Sequence, residues 1–343
     1  MHSFHIDDDD IIPYWLNLLD HFYRELTKFG IALSEEICPD GFVPPTLIFH
    51  RDGKPSAYAN EQFEVKISAG LIFQLHAFYN VMLSEPQVFP DVGDTSRTSF
   101  IIRDHDDPKP SMEWINVDLY KKYTYVHAFS PCEERQELAE YLTLISLLFV
   151  YTHEYFHHVN GHISLRKSPK KTEVSRLDIR TMEWDSDCCS IFYVWKAMFA
   201  GNFPSDVIRS SSNSFTVLQT AIMISMLLQS KEIDMDLDEF LSSPRSHPTF
   251  FCRLNTFLMI AEQKTTYPPV EEFRRRASDI MVHALESYRR SQHVLVRPVN
   301  GESFDPIKSS IAAQTLAKDF SDNWKSSLKA RLEPFKMCLK LPD

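Results

Sequence analysis

The stretch framed by Ser130-Pro131 and Asn160-Gly161 most constrains the fold. Ser130 suits an N-cap, Pro131 suits the first helical position, and Glu133 completes a capping box. Asn160-Gly161 is a helix stop. The spacing predicts one helix over 130–160, roughly 45 Å long at 1.5 Å per residue. Its first two-thirds is packed with Leu and Ile. A helix that apolar must be covered by other elements, so the chain has to wrap around it.

The last turns of this helix carry His153-Glu154-Tyr155-Phe156-His157. Positions i and i+4 lie one above the other on a helix face, so two imidazoles there can reach one metal ion. Zinc accepts histidine nitrogen at about 2.0–2.1 Å. Glu154 stands about 100° around the helix from His153. It is near enough to act on a water at the metal and out of line to ligate it, which makes it a candidate general base.

A third ligand must come from another element. Glu183 and Asp187 are four apart on a second predicted helix, over 171–200, and share one face. A short connection makes consecutive helices antiparallel neighbours, so the chain can return Glu183 to the metal. Asp187, one turn on, can accept the other ring N–H of a ligand histidine. Three protein ligands leave a position open, the arrangement of a catalytic zinc site. His158 and His162 are also four apart, but Val159 stands where a base would be needed. Structural roles are expected for both, and core-facing or half-buried thiols for Cys188 and Cys189.

The N-terminal part reads differently. Asp7–Asp10 and Pro13 start an amphipathic helix that Gly30 should end. Residues 46–60 read as a hairpin, 63–67 as a strand, and Ser68–Met82 as a helix with His76 at or near the surface. Residues 84–97 are loop. Short strands are expected over 99–103, 112–117 and 123–129, with Asp104–Asp107 in an exposed loop. Beyond the second long helix, with a loop at 163–172 before it, helices are expected over 213–229, 246–263, 269–290 and 308–335. The fold class is α+β, mostly helical: an N-terminal α/β part over 1–129 and a helical part over 130–343, together one compact unit.

Composition excludes several functions. A net charge of −11 disfavours a nucleic-acid partner. With 8 Gly and no Gly-rich phosphate motif, nucleotide binding has no support. Six cysteines without a C-x-x-C fit a reducing compartment, and a cytoplasmic location is expected. The N-terminus has no signal-peptide pattern. The apolar runs Leu142–Tyr151 and Phe215–Leu228 fall short of the ~20 residues of a transmembrane helix.

The paired motifs resemble those of the gluzincin metallopeptidases, within which H-E-x-x-H followed by E-x-x-x-D is similar to the HtpX and CAAX-prenyl endopeptidase group. That group also shows a histidine soon after the pair, as at His158–His162, and an H-P-x-x-x-x-R segment, as at His247-Pro248 through Arg253. The likeness covers roughly residues 140–260 and points to a soluble, minigluzincin-like zincin core. A narrower likeness is to the Lit-type phage-exclusion proteases. The resemblance implies Zn2+ on His153, His157 and Glu183, with Glu154 as base. It places His247 and Arg253 near the site, supporting the oxyanion or the ligand carboxylates; otherwise His247 is only a residue beside a helix-starting proline. A metzincin is not expected, because Asn160 and Ile163 stand where that pattern needs Gly and His. The implied activity is hydrolysis of a protein or peptide substrate, pairing with an edge strand at 112–117 or 123–129. The alternatives are a non-hydrolytic zinc-containing regulatory protein and a zinc hydrolase of a non-peptide amide.

Overall fold

The computed structural model describes residues 13–52, 54–83, 85–96, 132–168, 174–199, 214–229, 247–264 and 306–337, with Arg275, Asp279 and Val282. Among them the protein is mostly helical, with one three-stranded sheet. In chain order the elements are α1 (Pro13–Ile37), β1 (Thr46–His50), β2 (Ala57–Ala59), β3 (Glu64–Ser68) and α2 (Ala69–Met82). Then come α3 (Glu133–Val159), α4 (His162–Lys167), α5 (Arg176–Phe199), α6 (Ser214–Gln229), α7 (Phe250–Lys264) and α8 (Pro306–Asn323). A π-turn, α9 (Lys329–Leu332) and a 3₁₀ turn follow.

The apolar run does become the central helix. Every residue of α3 from Leu142 to Val159 is buried. Around it pack α1, α2, α5, α6 and the sheet. One hydrophobic cluster joins α1, the sheet, α2, α3, α5, α6 and α7. Glu133 and Glu134 sit in the first turn of α3, where the helix dipole favours acids. The described helix starts with Cys132 as its N-cap, without a side-chain cap bond. At the far end Met337 N–H donates to the Val159 carbonyl at 2.8 Å, satisfying one of the groups a helix end leaves open. No helix among the described residues is long and apolar enough to cross a membrane.

Four expectations are corrected. First, Gly30 does not end α1, which continues to Ile37. A Cβ on Gly30 would collide with the Tyr151 hydroxyl, so the glycine serves the close approach of α1 to α3. One turn on, Ser34 donates to the Gly30 carbonyl and shares a 2.7 Å hydrogen bond with the Tyr155 hydroxyl.

Second, residues 46–60 are not a hairpin. The strand order is β1-β3-β2: β1 pairs parallel with β3, and β2 pairs antiparallel with β3. The alternating strand, with Val65 and Ile67 fully buried, takes the centre, and the three-residue Ala57–Ala59 is left outermost. Third, His76 is buried, its ring against Trp15 at 4.9 Å and its Nδ1 facing Asn80. Fourth, the segment after Gly161 is a short helix, α4, rather than loop from 163.

Arg135 explains the turns after α2. Its guanidinium is fully buried and donates to five backbone carbonyls, those of Leu83, Glu85, Val88, Phe89 and Val92, at 2.7–3.1 Å. Burial pushes its pKa down, and the ring of carbonyl dipoles is what faces the charge. The expected acidic runs at 7–10 and 104–107, the strands at 99–103, 112–117 and 123–129, the Ser130-Pro131 start and most of 269–290 lie outside the described residues.

Candidate metal centre

The helices α3 and α5 lie side by side, and their facing residues run in opposite order: His153 meets Asp187 while His157 meets Glu183. His153 Nε2 is 3.1 Å from Glu183 Oε2, His157 Nε2 is 3.3 Å from the same oxygen, and the two ring nitrogens are 3.2 Å apart. The three atoms therefore form a nearly equilateral triangle. Ligands at about 2.0–2.1 Å on a tetrahedron stand roughly 3.3–3.4 Å from one another, so the triangle is the size a single tetrahedral ion needs. Among the described residues this is the cluster of ligand-type side chains whose atoms converge on one point, and all three residues are buried. The group can hold a metal ion.

Each of the two histidines is held from behind. His153 Nδ1 donates to Asp187 Oδ1 at 2.9 Å. Arg253, from α7, forks onto both oxygens of Asp187 at 2.8 and 2.7 Å, with Phe149 under its guanidinium. Burial alone would raise the Asp187 pKa, but Arg253 and His153 hold it down at about 2. Burial works against charge on His153 as well. Hydrogen bonding and charge from Asp187, then Glu183, outweigh it and lift the ring to about 10 before any metal binds. Glu183 stays far below the usual carboxylate range: burial would raise it, and His247, His157 and His153 oppose that.

The other histidine has a different support. His157 Nδ1 is 2.9 Å from His162 Nδ1. His162 Nε2 lies 3.1 Å from Asp185 Oδ2, an approach too oblique for a well-aligned hydrogen bond. Asn160 Nδ2 donates to that same oxygen at 2.6 Å. Burial pushes the His162 pKa down against the pull of Asp185.

Glu154 is also buried, and its Oε2 accepts the Ala59 N–H of β2 at 2.8 Å. The following turn is fastened to α3. Phe63, at φ 62°, packs on His158, and the His158 ring N–H donates to the Glu64 carbonyl at 3.1 Å. His247 stands at the rim. Its side chain is 54% exposed, its ring stacks 6.3 Å from that of His153, and its Nε2 is 3.2 Å from Glu183 Oε2.

The site residues read from sequence, His153, Glu154, His157, Glu183, Asp187, His247 and Arg253, thus lie in one place. Arg253 reaches it only through Asp187. Sequence reasoning gave no role to Ala59, Asn160 or Asp185, and it left His162 structural. The placement of His162 immediately after a left-handed glycine, Gly161 at φ 81°, was the available signal. Cys189 and Cys252 are buried, Cys188 is half-buried, and burial raises all three thiols. No protein-family model, curated protein or solved structure matches the chain.

Proposed function

We propose that the protein is a zinc-dependent peptidase of gluzincin type, with α3 at the centre of a zincin-like core. The observation that carries the reading is the triangle of His153, His157 and Glu183 with Glu154 beside it. Two imidazoles and one carboxylate are a donor set suited to zinc, and they leave a fourth position for water or substrate. A zinc ion there supplies Lewis acidity, polarising a carbonyl and lowering the pKa of water.

The chain's own groups do the rest. Oε2 of Glu154 is fixed by the Ala59 amide, so Oε1 is the oxygen that takes a proton from the attacking water and returns it to the leaving amine. His247, exposed at the rim, donates to the oxygen that gains negative charge. Arg253 acts through Asp187, which keeps the His153 proton on Nδ1 and its Nε2 free for the metal. A peptide substrate pairs along β2, one of the two edge strands of the described sheet and the one that touches Glu154.

The test joins metal analysis of the purified protein to hydrolysis of a panel of peptides and denatured proteins, with chelator controls. Wild type should carry one zinc per chain and cleave. Glu154→Gln should keep the zinc and lose about 10²–10⁴-fold in kcat. Full activity in that variant removes Glu154 as base. Zinc without hydrolysis of any peptide in the wild type favours a regulatory zinc protein or a hydrolase of another amide.

A further inference from the structure

His157 presents Nε2 to the metal triangle, and everything behind its other nitrogen is built from side chains of three different elements. We propose that His162 and Asp185 are positioning residues for the metal, holding the His157 ring with its proton on Nδ1 and its Nε2 turned to the ion. The inference rests on the reading of His153, His157 and Glu183 as metal ligands.

Proton bookkeeping gives the direction of each contact. Two imidazole nitrogens at 2.9 Å need one proton between them. A histidine that ligates through Nε2 carries its proton on Nδ1, so His157 donates and His162 accepts. An imidazole that accepts at Nδ1 carries its proton on Nε2, and that atom of His162 faces Asp185 Oδ2 at 3.1 Å. The carboxylate is anchored by Asn160, the C-cap of α3, at 2.6 Å. The His157–His162 contact then keeps the His157 proton on Nδ1 and leaves its Nε2 lone pair free, while Asp185 faces the far side of the His162 ring as a charge rather than through an aligned hydrogen bond. Ser186 Oγ, at 3.4 Å from His162 Nδ1, is a longer, secondary contact.

A simple space-filling role does not account for this arrangement. His162 is 1% exposed, yet its acceptor nitrogen meets another imidazole rather than a backbone amide. It reaches that place because Gly161 takes a left-handed conformation between the two rings. A Cβ at Gly161 would run into the backbone of Phe335, so the turn is held from outside as well.

The experiment is a zinc titration of the full chain against a chromophoric chelator, for wild type, His162→Phe, His162→Asn and Asp185→Asn, with urea unfolding of each metal-free form. An Asn side-chain oxygen can stand where the His162 Nδ1 accepts; Phe fills the space and accepts nothing. His162→Phe should weaken zinc binding about 10–100-fold, and His162→Asn should recover most of that loss. Asp185→Asn, which changes no volume, should weaken binding less than His162→Phe but measurably. Wild-type affinity in both His162→Phe and Asp185→Asn overturns the inference while leaving the metal site standing. Equal losses in His162→Phe and His162→Asn overturn it too, since the acceptor would then not be what matters. A wild type that binds no zinc overturns the metal reading, and this inference with it.

Discussion

Behind His153 stands a buried ion pair; behind His157 stands a second imidazole leaning on a carboxylate and an amide. Both ligands sit on one face of α3 and offer the same nitrogen, yet their supports differ in kind. Asp187 touches His153 directly, and a carboxylate that deep must be matched by a charge, which Arg253 supplies with a two-pronged contact. His162 separates His157 from Asp185, so the charge there is one ring farther from the metal. The His153 arm raises the basicity of its ligand and makes the metal compete with a proton. The His157 arm meets its histidine with a ring instead of a charge. Loss of one partner should therefore cost more stability in the first arm than in the second.

The largest expected effect breaks the charged arm. Arg253→Met leaves Asp187 buried without its guanidinium and with His153 as its remaining partner, which should cost about 3 kcal/mol of stability in the metal-free protein, read from urea midpoints. A loss below about 1 kcal/mol would mean that the pair is not the anchor described. Replacing both residues, as Asp187→Leu with Arg253→Met, should restore much of the stability because no isolated charge remains. It should nevertheless weaken zinc binding, because His153 then lacks the acceptor that Arg253→Met alone leaves in place. Stability and metal binding then separate within one arm.

A smaller effect compares the two carboxylates by the same change. Asp187→Asn should raise the zinc dissociation constant about 10–100-fold, as loss of a direct partner to a ligand histidine does. Asp185→Asn should raise it less, since His162 still accepts from His157. Chelator competition on the two variants gives the ranking. A larger effect at Asp185 would reverse the comparison and make the relay the dominant support.

The ligand residues were legible in the sequence because helical geometry is local. His153 and His157, or Glu183 and Asp187, share a face by spacing alone. The apolar stretch of α3 likewise declared its own burial. What could not be read was set by neighbours distant in sequence. Gly30 looks like a stop until Tyr151 is found against it, and His76 looks like a surface residue until Trp15 covers it. Arg135 has no sequence signature at all, since its partners are main-chain carbonyls that any residues supply. The strand order failed for a related reason: turn residues at 51–55 mark a bend but do not name the partner, and β1 pairs with β3, beyond the intervening β2. Asp185 was hidden between two carboxylates with an obvious pattern, and its partners Asn160 and His162 lie at the helix stop and just beyond it.

The smallest effect tests whether the two arms are the whole of the metal support. His158 is adjacent to His157 in sequence but belongs to neither arm; its ring N–H goes to the Glu64 carbonyl and its face to Phe63. His158→Leu removes one neutral hydrogen bond and leaves a half-buried carbonyl, which should cost about 1 kcal/mol of stability. Zinc affinity should stay at the wild-type value, because neither ligand nitrogen nor its partner is touched. Hydrolysis is the sensitive readout. The turn that His158 fastens continues into β2, whose Ala59 amide fixes Glu154, so a loosened turn lowers kcat while zinc content stays full. A variant that loses zinc instead would place a third support on the metal, and the division into a charged and a neutral arm would have to be redrawn around it.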